Sequence, residues 1–259
     1  MTWGVVFIVG CVVTSLTMVV MWFLQRRSGD AGIVDVAWAG MIGVFALCLA
    51  IAGDVPRQFL VGLLGAVWAF RLAFHLFVDR IFLAEEEDGR YQMLREQWGP
   101  DTQRNMFWFY QVQAFFVMAF TVPIFLATLN NYPQWTVWDY GGVFVWVVAV
   151  LGESIADRQL AKWRKDRNNK GKTCRVGLWR YSRHPNYFFE WIHWWAYVLF
   201  SVGSPYVWAS LAGPVFMLFL LYRVTGIPYT EKRALKSRGD DYQRYQQETS
   251  AFFLLPPKA

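Results

Sequence analysis

Apolar runs about twenty residues long recur along the chain, each closed by a short polar or charged stretch. A helix of roughly 20 apolar residues is the length that crosses a bilayer. The runs predict seven such helices, at about Trp3–Leu24, Gly32–Ala52, Phe59–Phe82, Met106–Leu129, Tyr140–Leu160, Pro185–Val202 and Tyr206–Gly226. Gln25-Arg26-Arg27 closes the first, and Asp54, Pro56 and Arg57 mark the turn before the third. Two stretches are charged: the loop Leu83–Asn105, with Glu85-Glu86-Glu87-Asp88-Gly89-Arg90-Tyr91, and the segment Lys162–Arg183. The last stretch, about Tyr229–Thr249, reads as a charged amphipathic tail.

The distribution of cations orients the helices. Lys and Arg number two after the first span, four around the loop after the third, nine after the fifth and seven from Arg223 onward. The opposite side has only Arg57, and Arg71 and Arg158 fall within spans. Cytoplasmic loops carry the excess of Lys and Arg. The expectation is therefore an all-α polytopic membrane protein with seven transmembrane helices, the N-terminus outside and the C-terminus cytoplasmic.

Composition agrees with this reading. Residues are 56% hydrophobic and 19% aromatic, and only 17% are charged, against roughly 25% charged in soluble domains. The net charge of +6 is mostly a topology signal, and a nucleic-acid partner is not expected. Cys11, Cys48 and Cys174 make no C-x-x-C pair or metal spacing, so neither a disulfide framework nor a metal site is predicted. The first apolar run is too long for a signal-peptide core and has no basic segment before it. No internal repeat or linker divides the chain, which reads as one domain, residues 1–259, and as a monomer in contact with membrane lipid.

Several ionisable groups fall inside the spans. Asp35, Arg71, His75, Asp79, Glu153, Asp157, Glu190, His193 and Arg223 lie mostly toward the cytoplasmic ends. Such groups need partners or a function. The most informative stretch is Gly177-Leu-Trp-Arg-Tyr-Ser-Arg-His-Pro-Asn-Tyr-Phe-Phe-Glu190. A basic run ends at Pro185, a residue suited to a first helical turn. Asn186 and Glu190 then share one face at i, i+4. Before it, the segment Lys162–Arg183 holds nine Lys or Arg and one acid. Arg164, Arg175, Arg180 and Arg183 fit a phosphate-rich ligand, because the guanidinium fork matches phosphate geometry. Tyr181 and Trp179 could stack on a base. The same cations also suit topology or anionic lipid.

Leu178 through Glu190 resembles the steroid 5α-reductase family, in particular its bacterial members. Asp157 followed by Arg164, Asp88-Gly-Arg-Tyr91, and Arg223, Pro228, Glu231 and Gly239-Asp-Asp-Tyr242 support the resemblance. It implies a seven-span oxidoreductase that uses NADPH to reduce a carbon–carbon double bond conjugated to a ketone, in an apolar, steroid-like (3-oxo-Δ4) substrate entering from the bilayer. By the same resemblance Asn186 and Glu190 meet the nicotinamide amide. Arg71, Arg90, Tyr91, Asp157, Arg164, Arg175, Arg180, Arg183 and Arg223 hold the rest of the cofactor, with Glu153, Tyr181, His184, Tyr229 and Glu231 in the same set.

The family's substrate-binding Glu falls on Asp35, beside Trp38. Its tyrosine partner has no counterpart, and Trp68 is nearest. Its Asn in span five falls on Glu153. A carboxyl in an apolar setting can stay protonated and donate, so Asp35 is expected to donate a hydrogen bond to the substrate ketone. Membrane methyltransferases that use S-adenosylmethionine share Arg-His-Pro-x-Tyr followed by Glu and form the alternative. They usually have fewer spans, and their cofactor carries no phosphate.

Overall fold

The computed structural model describes residues 3–84, 86–132, 134–224 and 226–258. Glu85 of the acidic loop and Thr225 of the last predicted span lie outside the described residues. The chain is about 80% helical, and no strand occurs among the described residues. Contacts divide it into two compact units, Met1–Pro133 and Gln134–Ala259.

The first unit holds α1 (Trp3–Ser28), α2 (Ile33–Ile51), α3 (Pro56–Phe77, continued by a π-helical turn over Val78–Phe82), α4 (Gly89–Trp98) and α5 (Thr102–Thr128). Along α1, Phe7, Ile8, Val12, Leu16, Val20 and Phe23 are exposed. In water such a face would be unfavourable, whereas in lipid it is the expected surface. The closest pairing is α2 with α3. A Cβ on Gly62 would lie 2.5 Å from the Ala50 backbone nitrogen, so the bare glycine is what lets the two backbones meet. Small residues at helix interfaces serve this purpose in membranes, where water does not drive helices together.

The acidic loop is not all loop. Asp88 caps α4 by accepting from the Arg90 backbone N–H at 2.9 Å. Burial opposes charge on this carboxyl, but Arg90, Arg80 and that N–H together hold it below the ordinary aspartate value.

The second unit holds α6 (Val137–Lys165), α7 (Pro185–Phe200), α8 (Val207–Ser210), α9 (Ala212–Phe219), a π-helical turn over Leu220–Val224, α10 (Ile227–Arg238) and α11 (Asp240–Glu248). Thr136 starts α6, and the Asp139 carboxylate accepts from its backbone N–H at 2.7 Å and its hydroxyl at 2.8 Å. Pro185 opens α7 as expected, and Pro228 sits in the first turn of α10. The closest pairing here is α6 with α7.

Among the described residues, six helical runs are long and apolar enough to cross a membrane, which fits an integral, multi-pass membrane protein. The sixth predicted span, Pro185–Val202, is helical, but α7 has only 16 residues. At about 1.5 Å per residue it reaches roughly 24 Å, short of the roughly 30 Å of a bilayer core.

Gly62→Ala should destabilise the first unit by about 2 kcal/mol, because α2 and α3 must separate or strain. Thermal unfolding in detergent, read by tryptophan fluorescence, checks this. An unchanged midpoint would remove the close approach as a stability determinant.

Candidate functional site

The stretch 177–185 is fixed on every side within the second unit. Gly177 has φ +56, and a Cβ there would run into the Gln159 side chain. The Gln159 carbonyl accepts from the Leu178 backbone N–H at 2.9 Å. Trp179 Nε1 donates to the Ala156 carbonyl at 2.8 Å. The Tyr245 hydroxyl, from α11, donates to the carbonyls of Trp179 and Ser182. The segment after α11 then runs back along the stretch. Arg183 N–H donates to the Ser250 carbonyl at 2.9 Å, Leu255 N–H to that of Tyr181 at 3.0 Å, and the Ser182 hydroxyl to that of Phe252 at 2.8 Å.

At the centre is Arg183. Its guanidinium donates to Glu231 at 2.6 Å and to the backbone carbonyls of Gln246 and Thr249 at 2.9 and 2.6 Å. Glu231 also accepts from Gln246 Nε2 at 2.9 Å and lies 3.4 Å from His184 Nε2. The carboxylate is an acceptor, so the imidazole hydrogen is assigned to Nε2. His184 is buried and stacks in parallel on Tyr187. Burial lowers its pKa below 6.5; the Glu231 bond pulls the other way and does not win.

A cleft of about 130 Å³ opens beside this cluster, lined among others by Arg164, Cys174, Arg183, His184, Asn186 and Arg238. The Asn186 amide nitrogen donates to Asp157 at 3.3 Å. Its carbonyl oxygen Oδ1 is buried and accepts from no protein donor. Asn186 and several cations thus line one cleft. A wider, shallower depression of about 340 Å³ lies by Arg175, Arg180 and Glu248.

Of the residues singled out in sequence, the structure brings Asp157 to Asn186, and Arg164, Arg183, His184 and Asn186 to one cleft. Glu190 sits half-buried one turn after Asn186, and Glu153 is buried on α6. Tyr229 is half-buried on α10. Arg180, Tyr181 and Arg223 are exposed, and none of them lines the cleft.

The phosphate role expected of Arg183 and Arg175 meets a different arrangement. Arg183 is spent on Glu231 and two carbonyls. Arg175 bonds to Asp241 at 3.3 Å and Glu248 at 3.0 Å. Asp241 is held below its ordinary value: burial opposes the charge, while Thr173 and Arg175 outweigh it. Sequence reasoning did not single out Arg238, Cys174 or Tyr245 for the site. Only the Gly239-Asp-Asp-Tyr242 motif pointed to that region.

In the first unit, Asp35 Oδ2 accepts from Arg80 and, at 3.0 Å, from Arg90. The sequence reading placed the Asp35 carboxyl in an apolar setting as a donor; in the structure it meets two guanidiniums. Tyr91 is buried beside Arg90, whose guanidinium lies 5.4 Å from its ring centroid. Arg95 bonds to Glu87 at 2.8 Å, and Glu87 accepts from the Ala31 backbone N–H at 2.7 Å. Trp38 packs edge-on against Phe120 at 5.6 Å, Trp68 is fully buried, and Arg71 is half-buried on α3.

Residues 21–249 match the family described as "Protein of unknown function (DUF1295)". The chain belongs to that family. In general terms the DUF1295 family is steroid 5α-reductase-like. The chain is also similar to the uncharacterized protein C594.04c of Schizosaccharomyces pombe, at 24% identity over 282 aligned residues, covering 95% of this chain and 79% of that protein. No solved structure matches the chain.

Two outcomes are expected. Asp35→Ala removes a carboxylate that Arg80 and Arg90 share and should cost about 2 kcal/mol, less than a fully buried pair; a thermal midpoint equal to wild type would refute this. For His184, the folded pKa lies below the unfolded one, so its contribution is full above pH 6.5 and is lost as pH falls below that value. Melting of wild type between pH 8 and 5.5 should therefore fall more steeply than melting of His184→Gln. Parallel slopes would count against a buried neutral imidazole.

Proposed function

We propose that the protein reduces a carbon–carbon double bond conjugated to a ketone in an apolar, steroid-like substrate, with NADPH as donor. The observation that carries this is the cleft itself, where a buried, unmet amide acceptor stands among guanidiniums. A nicotinamide carboxamide supplies N–H donors for Asn186 Oδ1, and the phosphates of the dinucleotide suit the arginines. The residues present therefore fit the cofactor.

When bound, NADPH supplies a hydride to the β-carbon of the enone, and a proton from water completes the reduction at the α-carbon. The chain's residues bind and orient. Asp157 holds the Asn186 amide so that Oδ1 stays presented as an acceptor. Glu190 lies on the same helix face one turn on and joins Asn186 at the nicotinamide end. Arg183, Glu231 and His184 keep the cleft wall in place.

Within this reading α7 is a short sixth span, which makes seven in all. The N-terminus is outside, and the arginine-rich cleft faces the cytoplasm, in the inner membrane of a bacterial cell. A short helix is accommodated by local thinning or flanking residues. A methyl transfer from S-adenosylmethionine is the competing reading, favoured by the Arg-His-Pro-Asn-Tyr stretch. The arginine-rich lining weighs against it, because that cofactor has no phosphate.

Denaturing the purified protein should release NADP(H). Release of an S-adenosyl compound would replace the reductase with the methyltransferase. Asn186→Ala should weaken NADPH binding at least tenfold, measured by fluorescence titration. Full affinity in that variant would remove the amide from the site.

A further inference from the structure

Residues 250–258 do more than run back along the stretch before α7. Phe252 is buried against Phe188, Trp191 and Tyr222, with ring centroids 5.7, 5.7 and 5.5 Å away. Lys258 N–H donates to the Glu248 carbonyl at 2.8 Å, which returns the chain to the end of α11. The segment is therefore held at several points along its length. Held in this way, it turns apolar side chains outward. Tyr181, Phe253 and Leu255 are exposed, and all three lie outside the helices. The bond from Leu255 N–H to the Tyr181 carbonyl keeps two of them on adjoining backbone. Exposed apolar side chains gathered on one surface mark a place that meets an apolar partner.

Their position says which partner. Tyr181 stands four residues before Pro185, the first residue of α7. Phe253 packs on Phe188 and Trp191, in the first two turns of that helix, at 6.2 and 6.3 Å between centroids. With α7 entering the bilayer at Pro185, these side chains lie where headgroups meet acyl chains, the level that suits aromatic residues.

The same surface has a polar half. Arg175, Arg180, Glu248, Thr249 and Pro257 line the depression of about 340 Å³, and Thr249 and Pro257 bracket the segment that carries Phe253 and Leu255. Arg175 is matched there by Asp241 and Glu248. The Arg180 guanidinium is exposed and makes no ion pair among the described residues. A lone exposed arginine is by itself an ordinary marker of topology. That account leaves the three apolar side chains beside it unexplained. The resemblance gave Arg180 and Tyr181 to the cofactor, but neither lines the cleft beside Asn186. An amphiphile with an anionic phosphate above apolar chains matches both halves at once. A zwitterionic headgroup carries its own cation next to the phosphate and gains less from Arg180.

Resting on the reading of α7 as a span, we propose that Arg180 and its depression hold the phosphate of an anionic phospholipid whose acyl chains lie against Tyr181, Phe253 and Leu255.

The test places p-benzoylphenylalanine at position 253 of the full chain, in vesicles of equimolar phosphatidylglycerol and phosphatidylcholine. Irradiation is followed by mass spectrometry of the lipid adducts, with a thermal melt to show that each variant is folded. Phosphatidylglycerol adducts should exceed phosphatidylcholine adducts. Arg180→Gln should lower that ratio about fivefold, the weight of one cation at an anionic surface. Lys232 is an exposed cation of α10 that does not line the depression, and Lys232→Gln should leave the ratio near that of wild type. Equal adducts with the two lipids would overturn the proposal and leave α7 as a span. An equal drop in Lys232→Gln would make the attraction diffuse and overturn it as well. Weakened NADPH binding in Arg180→Gln with an unchanged lipid ratio would return the arginine to the cofactor. If no lipid adduct formed at all, the entry of α7 into the bilayer at Pro185 would fail, and this assignment with it.

Discussion

The ion pair between Arg183 and Glu231 is the contact on which the second unit's site depends. A single guanidinium joins the stretch before α7 to α10 and to the carbonyls that end α11. The Arg183 side chain is only 11% exposed and that of Glu231 16%. Removing one member of a well-buried pair typically costs about 3–5 kcal/mol, because the other is left uncompensated. The remaining Glu231 valences are filled by Gln246 and His184, so the pair sits in a network with its partners satisfied. The cleft walls inherit their positions from this network.

The first unit uses the same device. Asp35, Arg80, Arg90 and Asp88 gather at the ends of α2, α3 and α4, while Glu87 and Arg95 tie α4 to the backbone before α2. These charges sit at helix ends and remain partly exposed, which limits the desolvation they must overcome. Away from those ends α2 is apolar and meets α3 through small residues such as Gly62 and Ala50. Ionic contacts and close backbone packing thus divide the stabilising work between helix ends and helix middles.

The helices were legible because hydropathy over twenty residues is a strong signal. Pro185 also announced its helix start. Helix α4 was missed because its ten residues are polar and carry no apolar stripe; only the Asp88 cap marks it. The shortness of α7 was hidden because Ser201 and Val202 continue the apolar run past the point where the helix ends.

For the site, charge density pointed to the region of the cleft but could not sort its arginines. Whether an arginine is available depends on its acids, and Glu231, Asp241 and Glu248 lie dozens of residues away from Arg183 and Arg175. Arg238 and Tyr245 join the site by contacts between α10, α11 and the 173–184 segment, which no local pattern encodes. Asn186 and Asp157 sit on two different helices, and no pattern in the sequence pairs them.

The return of residues 250–255 along residues 181–183 sets an order of events during synthesis. Arg183 leaves the ribosome some 67 residues before Ser250, its backbone partner. At about 5–20 residues per second, that is a delay of roughly 3–13 seconds. Through that interval α7 is already available to the insertion machinery, while the basic stretch before it has neither Glu231 nor the returning segment to hold it. The spans can therefore take their places in the bilayer before the cleft has walls, and insertion and cleft assembly become separate stages in the life of the chain.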